Sequence, residues 1–432
     1  MARIHAFRGV RFDPDVVGEI SHVVTQPYDR IYPENQGRYY DASPHNIVRI
    51  VKGRGEPGDN GENIYRRAGA TLREWRECGV LVRDDEPALY VYHQRYRFEG
   101  ETLLRKGVIA LGALEPERVH AHEKTLRGPK EDRLRLMRAT EANFGHIFML
   151  YTDPERRADR ALDAAIAGCE PTIEARDEFG NDHLVWRVTD PEVIAEVAAA
   201  LADKDLYIAD GHHRYETAVT YMQECLDRGW APAAAESFDV RMMTLFNLDE
   251  PGMSIRPIHR MIHGIDGFDL ATFLAAAAED FDVDELPSLE ATRVKLAAER
   301  DRHSFGLYAE GRFSVLTLRD EAIMDERITG ELSADWKRLD VSILHTAIFE
   351  RLLGIDAVAL EEQRNITYTV DADAGVTEVD RGEQQAFFLL NPTRADEVRR
   401  IADRGERMPQ KSTDFYPKLL TGLVLSTMEI AK

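Results

Sequence analysis

Short apolar runs alternate with amphipathic stretches along most of this chain. The clearest case is the apolar run 206–209, which predicts a buried strand. A turn at Gly211 follows, and Ala218, Met222 and Cys225 then recur at a spacing that places them on one helix face. The pattern predicts a strand, a tight turn and a helix in direct succession.

The same periodicities predict a coarse set of elements elsewhere. Predicted strands lie at 46–51, 88–96, 105–114, 239–248 and 387–390, with a hairpin at 305–318; predicted helices lie at 64–78, 191–202, 268–300 and 340–353. Strands and helices are interspersed from end to end. The predicted fold class is therefore a mixed α/β (α+β) chain.

Composition and charge limit the kinds of binding partner and the cellular compartment to be expected. The net charge is −22, so the chain as a whole repels phosphate backbones, and nucleic acid is not an expected partner. No apolar run approaches the ~20 residues that cross a bilayer, and no signal peptide is recognisable. Three cysteines without metal spacing are typical of a reducing compartment. We expect a cytoplasmic protein without membrane partners.

The first candidate site is the predicted turn itself, which carries Asp210, Gly211, His212, His213 and Arg214. In α/β proteins ligands bind at the carboxyl ends of strands, and free N–H groups at a helix start favour anions. Four charged or imidazole side chains in one such turn indicate a functional role. The alternative is a plain Asp-Gly turn with structural histidines and a solvated arginine.

A second polar stretch contains Glu123, Lys124, Thr125, Arg127 and Lys130. Two nearby histidines lack the helical His-Glu-x-x-His spacing, so zinc is not favoured. The basic and hydroxyl groups around a Gly-Pro step fit a phosphate-binding loop. A solvated basic loop is the alternative.

A third polar stretch, 408–418, includes Lys411 and Ser412. These groups suit a phosphate if the segment folds back onto the first site. The alternative is a solvated loop before the apolar run 419–425.

Three motifs together are similar to one family. Residues 208–218, 122–133 and 408–413, with the Pro-Tyr-Asp triplet at 27–29, resemble a widespread prokaryotic family labelled DUF1015. The resemblance extends over nearly the whole chain, and the Asp-Gly-His-His-Arg segment is its most specific part.

The same turn resembles that of the ParB/sulfiredoxin superfamily, in which a strand, a polar turn and a helix bind nucleotide phosphate. This resemblance implies a ParB/sulfiredoxin-like nucleotide-binding core at 110–235, an N-terminal α/β segment at 1–109 and a C-terminal α/β domain at 236–432. Within the superfamily, free-serine kinases are the most similar in the turn.

The resemblance implies a nucleotide-dependent kinase for a small molecule, with free L-serine as a candidate acceptor, ATP or ADP as donor, and Mg²⁺. Asp210 would orient the acceptor hydroxyl and take its proton, or hold Mg²⁺, and Glu123 is the second candidate acid. Phosphate would be bound by the glycine and side chains of the turn and by the two basic stretches: Gly211, His212, His213, Arg214, Lys124, Thr125, Arg127, Lys130, Lys411 and Ser412.

Two other functions share these residues. A ParB-like nucleotide switch without turnover would need a DNA-binding element, and no basic recognition helix is evident. A phosphate-ester hydrolase could use the same acids and histidines. A sulfiredoxin-like reductase is least favoured, since its chemistry needs a cysteine at the turn. The acceptor, the nucleotide, the choice between the two acids and the oligomeric state stay open.

Overall fold

The computed structural model describes residues 3–115, 119–121 and 127–432 of the chain. The chain forms two compact units. Of the described residues, the first unit comprises 3–115, 119–121, 127–254 and 417–432, and the second comprises 255–416. The first unit thus draws on all three segments predicted from the sequence, and its last stretch follows the second unit in the chain.

In chain order, the α-helices of the described ranges are α1 (Pro14–Val17), α2 (Pro33–Ala42), α3 (Val48–Val51), α4 (Asn63–Glu77), α5 (Arg127–Thr140), α6 (Arg157–Ile166), α7 (Pro191–Leu201), α8 (His212–Asp227), α9 (Leu270–Ala277), α10 (Leu289–Ala298), α11 (Ile323–Arg327), α12 (Ala334–Lys337), α13 (Asp340–Ile343), α14 (Arg351–Leu353), α15 (Ala357–Glu362), α16 (Ala372–Asp380) and α17 (Ala395–Asp403). The strands are β1 (Ile4–His5), β2 (Val10–Phe12), β3 (Leu81–Arg83), β4 (Leu89–Phe98), β5 (Glu101–Ala113), β6 (Val119–Ala121), β7 (Ala142–Asn143), β8 (Ile147–Tyr151), β9 (Ile173–Arg176), β10 (Asp182–Val188), β11 (Leu206–Asp210), β12 (Ala231–Pro232), β13 (Val240–Asn247), β14 (Ser254–Arg256), β15 (His259–Ile262), β16 (Phe281–Leu286), β17 (Ser304–Ala309), β18 (Arg312–Leu318), β19 (Ile366–Thr369), β20 (Ala386–Leu389), β21 (Asp414–Tyr416), β22 (Ser426–Thr427) and β23 (Ile430–Ala431). A π-helical stretch, Leu344–Glu350, joins α13 to α14.

The first unit is built on a mixed sheet. Its strands run in the order β6-β11-β8-β13-β5-β4-β10-β9, and β1 pairs with β5. β11 is parallel to β6 and antiparallel to β8, while β8 is parallel to β13. β8 and β13 are buried along their whole length, as expected of strands in the middle of a covered sheet. Helix α8 packs on this core through Tyr215, Ala218, Tyr221 and Cys225.

The second unit contains a six-stranded antiparallel sheet in the order β16-β18-β17-β20-β15-β19. Its core joins the apolar faces of β17, β18 and β20 to α9 and to the π-helical stretch. Helices and strands occur in both units, which confirms the predicted mixed fold class.

Two element predictions were wrong, and each has a physical reason. The predicted strand 46–51 ends in the helical turn α3, where the side chain of Asn46 accepts the N–H of Val48. A short apolar run fits a buried helical turn as well as a strand. The predicted helix 268–300 is interrupted by β16, in which Phe281 and Val283 alternate with acidic residues. That period of two is the pattern of a half-buried strand.

Among the helices of the described ranges, none combines the length and the apolar character that a membrane span requires.

Candidate functional site

The site begins where β11 ends. The ladder between β11 and β8 shifts register between Ile208 and Asp210, so a bulge precedes the turn. Gly211 follows with a φ of 98° and forms the N-cap of α8. A side chain there would also place its Cβ 3.0 Å from Nε of Arg214. The left-handed backbone therefore favours glycine, and any larger residue would also have to displace the guanidinium group of Arg214.

The turn holds a carboxylate between two cations. Oδ1 of Asp210 accepts a hydrogen bond from Nζ of Lys418 at 3.1 Å, and its Oδ2 accepts one from Nη2 of Arg214. The Asp210 side chain is 22% exposed, and both cations are buried. Burial alone would raise the pKa of Asp210, but Lys418 and Arg214 outweigh it and hold that pKa well below its usual range. Asp210 is therefore ionised at neutral pH.

Lys418 is held in place through its backbone. The side chain of Gln94 donates to the Lys418 carbonyl at 3.0 Å, and Arg105 donates to the carbonyl of Pro417. Arg105 also donates to the side-chain oxygen of Gln94 at 2.9 Å. Gln94 and Arg105 lie on β4 and β5 and are both buried. The central sheet thus fixes the segment that carries the ammonium group to Asp210.

Arg214 is anchored on its other side by a backbone carbonyl. It donates through Nη1 to the carbonyl of His146, just before β8. The His146 ring is buried and lies 2.7 Å from Oγ1 of Thr244. Burial lowers the pKa of His146 to about 3, so its imidazole is neutral at pH 7.

This neutral imidazole predicts a loss of stability in mild acid. Its pKa lies below the ordinary value near 6.5, so below that pH the unfolded chain binds the extra proton and the folded chain does not. Between pH 6.5 and 5, His146 is expected to lower the free energy of unfolding by about 2 kcal/mol. Urea titrations at pH 7.5 and 5.0 measure this loss for the wild type and for His146→Gln, which should lose less.

The matched control is His22→Gln, because the side chain of His22 is 56% exposed. This control should keep the pH dependence of the wild type. Equal losses in His146→Gln and the wild type would contradict the prediction.

One known protein family matches most of this chain. The model of the family described as "Protein of unknown function (DUF1015)" matches residues 4–342. The chain belongs to the DUF1015 family. This confirms the resemblance found in the sequence motifs. No curated protein matches the chain.

Solved structures similar to this DUF1015 chain include free serine kinase. Its complex with AMP has a TM-score of 0.36 and 14% identity, covering 74% of this chain and 91% of that one. A mutant of it with ADP has a TM-score of 0.37 and 12% identity, covering 74% and 92%. SbnI with a C-terminal truncation, from Staphylococcus aureus, has a TM-score of 0.35 and 10% identity, covering 72% and 85%. All three are distant likenesses.

The other site residues predicted from the sequence lie in several parts of the chain. His212 is buried and His213 half-buried in the first turn of α8. Lys130 forms an ion pair with Glu216 at 2.9 Å, between α5 and α8. Arg127 begins α5. Glu123, Lys124 and Thr125 lie outside the described residues. Their predicted roles stay predictions.

Lys411 and Ser412 belong to the second unit. The Ser412 hydroxyl donates to the carbonyl of Pro409 at 2.6 Å, and the carbonyl of Lys411 accepts from Arg260 at 3.0 Å. Lys411 has a φ of 59°. Their predicted contact with phosphate also stays a prediction.

The charges around Asp210 bear on the magnesium role predicted for it. Both of its oxygens face cations, which disfavours a divalent cation on the same carboxylate. Within the described residues, no group of three or more His, Cys, Asp or Glu side chains is arranged to hold a metal ion. The magnesium role of Asp210 stays a prediction.

Lys418 and Arg241 are among the charged residues of the first unit that sequence reasoning missed. Lys418 precedes the apolar run 419–425, and Arg241 is the one charged residue of the buried strand β13. Both are buried. Buried lysine and arginine are rare unless paired, so a cation set within a predicted buried segment is the signal that could have found them.

Proposed function

We propose that this protein is a nucleotide-dependent kinase for a small-molecule hydroxyl group, with free L-serine as the first acceptor to test. The observation that supports this is the ionised Asp210 between Lys418 and Arg214 at the start of α8. Phosphoryl transfer depends on positioning the acceptor and neutralising phosphate charge, and this turn has groups for both tasks.

Asp210 would position the acceptor. Its carboxylate is partly exposed and ionised, so it can accept a hydrogen bond from a substrate hydroxyl. A carboxylate with a pKa far below 7 is a weak proton acceptor, which favours orientation over full proton removal in the ground state. Glu123 is the second candidate for an acidic role.

The cations and the helix start would bind phosphate. Lys418 and Arg214 already face the carboxylate, and the first N–H groups of α8 belong to His212, His213 and Arg214. A 16-residue helix adds the positive end of its dipole at this point. Further candidates for phosphate contact are Gly211, Lys124, Thr125, Arg127, Lys130, Lys411 and Ser412.

ATP or ADP would be the phosphoryl donor. The free serine kinase structures are complexes with AMP and ADP. Mg²⁺ bound to the nucleotide phosphates would neutralise part of their charge during transfer. In this proposal the partners are a nucleotide and a small molecule, in the cytoplasm.

Phosphorus NMR tests the proposal directly. The full chain is incubated with Mg²⁺, with ATP or ADP, and with single free amino acids or small alcohols. The expected result is a new phosphomonoester signal that requires both nucleotide and serine. A second acceptor in place of serine would keep the kinase class and change the substrate.

Two other results would overturn the kinase proposal. Saturable nucleotide binding without turnover on any acceptor would favour a nucleotide switch. Release of phosphate from O-phosphoserine without nucleotide would favour a hydrolase.

A further inference from the structure

Three guanidinium groups line one small cavity of the first unit. They belong to Arg133 on α5, Arg214 on α8 and Arg241 on β13, and Tyr28 and Thr421 also line it. The cavity volume is about 40 Å³. A single water needs roughly 10–15 Å³ by the same measure, so there is room for one small chemical group but not for a whole nucleotide.

Arg241 is the unusual member of this cavity. It is 5% exposed, and its Nε and Nη1 have no hydrogen-bond partner among the described residues. Its Nη2 lies 3.5 Å from the carbonyl oxygen of Gly145, the limit of a hydrogen bond. Burial, with the neighbouring Arg214 and Arg133, lowers the pKa of Arg241 to about 9, so it keeps its charge at neutral pH.

The other two guanidiniums are better satisfied. Arg133 contacts the carboxylate of Asp132 and lies 4.1 Å above the ring centre of Tyr28. Arg214 has Asp210 and the His146 carbonyl. The cavity therefore holds more cationic donors than its own residues satisfy, and the excess is centred on Arg241.

Leaving a buried charge unpaired is costly, so the unsatisfied donors of Arg241 indicate a ligand that supplies the opposite charge. We propose that this cavity binds a single oxyanion group, a carboxylate or a phosphate, and that Arg241 is its central donor. The planar fork of arginine matches the paired oxygens of either group. Arg214 contacts both this cavity and Asp210, so the bound anion lies beside the candidate kinase turn.

The proposal goes beyond the kinase function, because an anion can bind in this cavity whether or not the protein transfers phosphate. Binding measurements alone therefore test it. Isothermal titration of the full chain uses three probes: inorganic phosphate, acetate and L-serine. Saturable binding of phosphate alone assigns the site to a phosphate group, and binding of acetate and serine alone assigns it to a carboxylate. Absence of binding by all three would overturn the proposal. Kinase turnover without such binding would leave the proposed function standing.

Arg241→Met is the decisive variant, since methionine fills similar space without charge. It should weaken anion binding at least about 10-fold, because the charge-assisted donors are lost. It should also raise the melting temperature of the anion-free protein, because a costly unpaired charge is removed. If Arg241 had only a structural role, Arg241→Met would instead lower the melting temperature. Unchanged affinity, or a lower melting temperature with no loss of affinity, would contradict the proposal.

Arg241→Lys and Arg97→Met complete the design. Lysine keeps the charge and loses the fork, so an intermediate affinity is expected. Arg97 is exposed on β4, so its replacement should leave both affinity and melting temperature unchanged. If Arg241→Met does not fold, the wild-type titrations and Arg241→Lys still decide the outcome: equal affinity in these two proteins would count against Arg241 as the donor.

Discussion

Asp210→Asn is expected to lower kcat for nucleotide-dependent phosphoryl transfer by about 100- to 10,000-fold. The amide keeps the shape of the side chain but loses the charge that pairs with Lys418 and Arg214. It also presents an N–H₂ group where a substrate hydroxyl needs an acceptor. Initial rates by phosphorus NMR measure the loss, and circular dichroism checks that the variant is folded.

Asp203→Asn is the matched control, because Asp203 is 70% exposed and lies outside the turn. It should keep the wild-type rate. A folded Asp210→Asn variant with a rate close to that of the control would remove Asp210 from the mechanism.

Gly211→Ala is expected to lower the free energy of unfolding by about 2–3 kcal/mol and to abolish most activity. About 1 kcal/mol comes from placing a side chain in left-handed backbone, at a φ of 98°. The rest comes from overpacking, since the new Cβ would lie 3.0 Å from Arg214 and push its guanidinium away from Asp210. Urea titration measures the stability, and the NMR assay measures the rate.

Gly79→Ala separates the two causes. Gly79 has a φ of 79°, and a Cβ there would meet nothing within 4 Å. This variant should lose only the backbone part, about 1 kcal/mol, and keep its activity. Equal losses of stability in the two variants would show that the contact with Arg214 is energetically unimportant.

The turn can be predicted well from the sequence because its determinants are local. The apolar run 206–209 needs burial, Gly211 supplies the left-handed residue, and the spacing of apolar residues in 212–227 defines one helix face. All of these lie within about twenty residues of one another. The mixed fold class and the family follow from the same kind of local pattern.

The partners of the turn are not encoded locally. Lys418 is 208 residues from Asp210 in the chain, and Arg105 is 312 residues from Pro417. No periodicity links such positions, because they meet only when the sheet has formed. The polar character of 408–418 predicts a role for Lys411 and Ser412, while the cation that pairs with Asp210 is Lys418, a few residues further on.

Short helices and strands are difficult to predict for a different reason. An apolar stretch of about four to six residues fits either a strand or a buried turn of helix, and 46–51 became the latter. In 281–286 apolar and acidic residues clearly alternate. A longer stretch of sequence that includes the helices on both sides has a mainly helical pattern, so the short strand is missed.

The discontinuity of the first unit also fixes an order of events on the ribosome. Asp210 leaves the peptidyl-transferase centre 208 residues before Lys418 does. At synthesis rates of about 5–20 residues per second, that interval is on the order of 10–40 s. The second unit is synthesised in between, so the nascent chain carries Asp210 without its lysine for that whole time. A ribosome that stops anywhere before Lys418 therefore releases a polypeptide whose turn is incomplete.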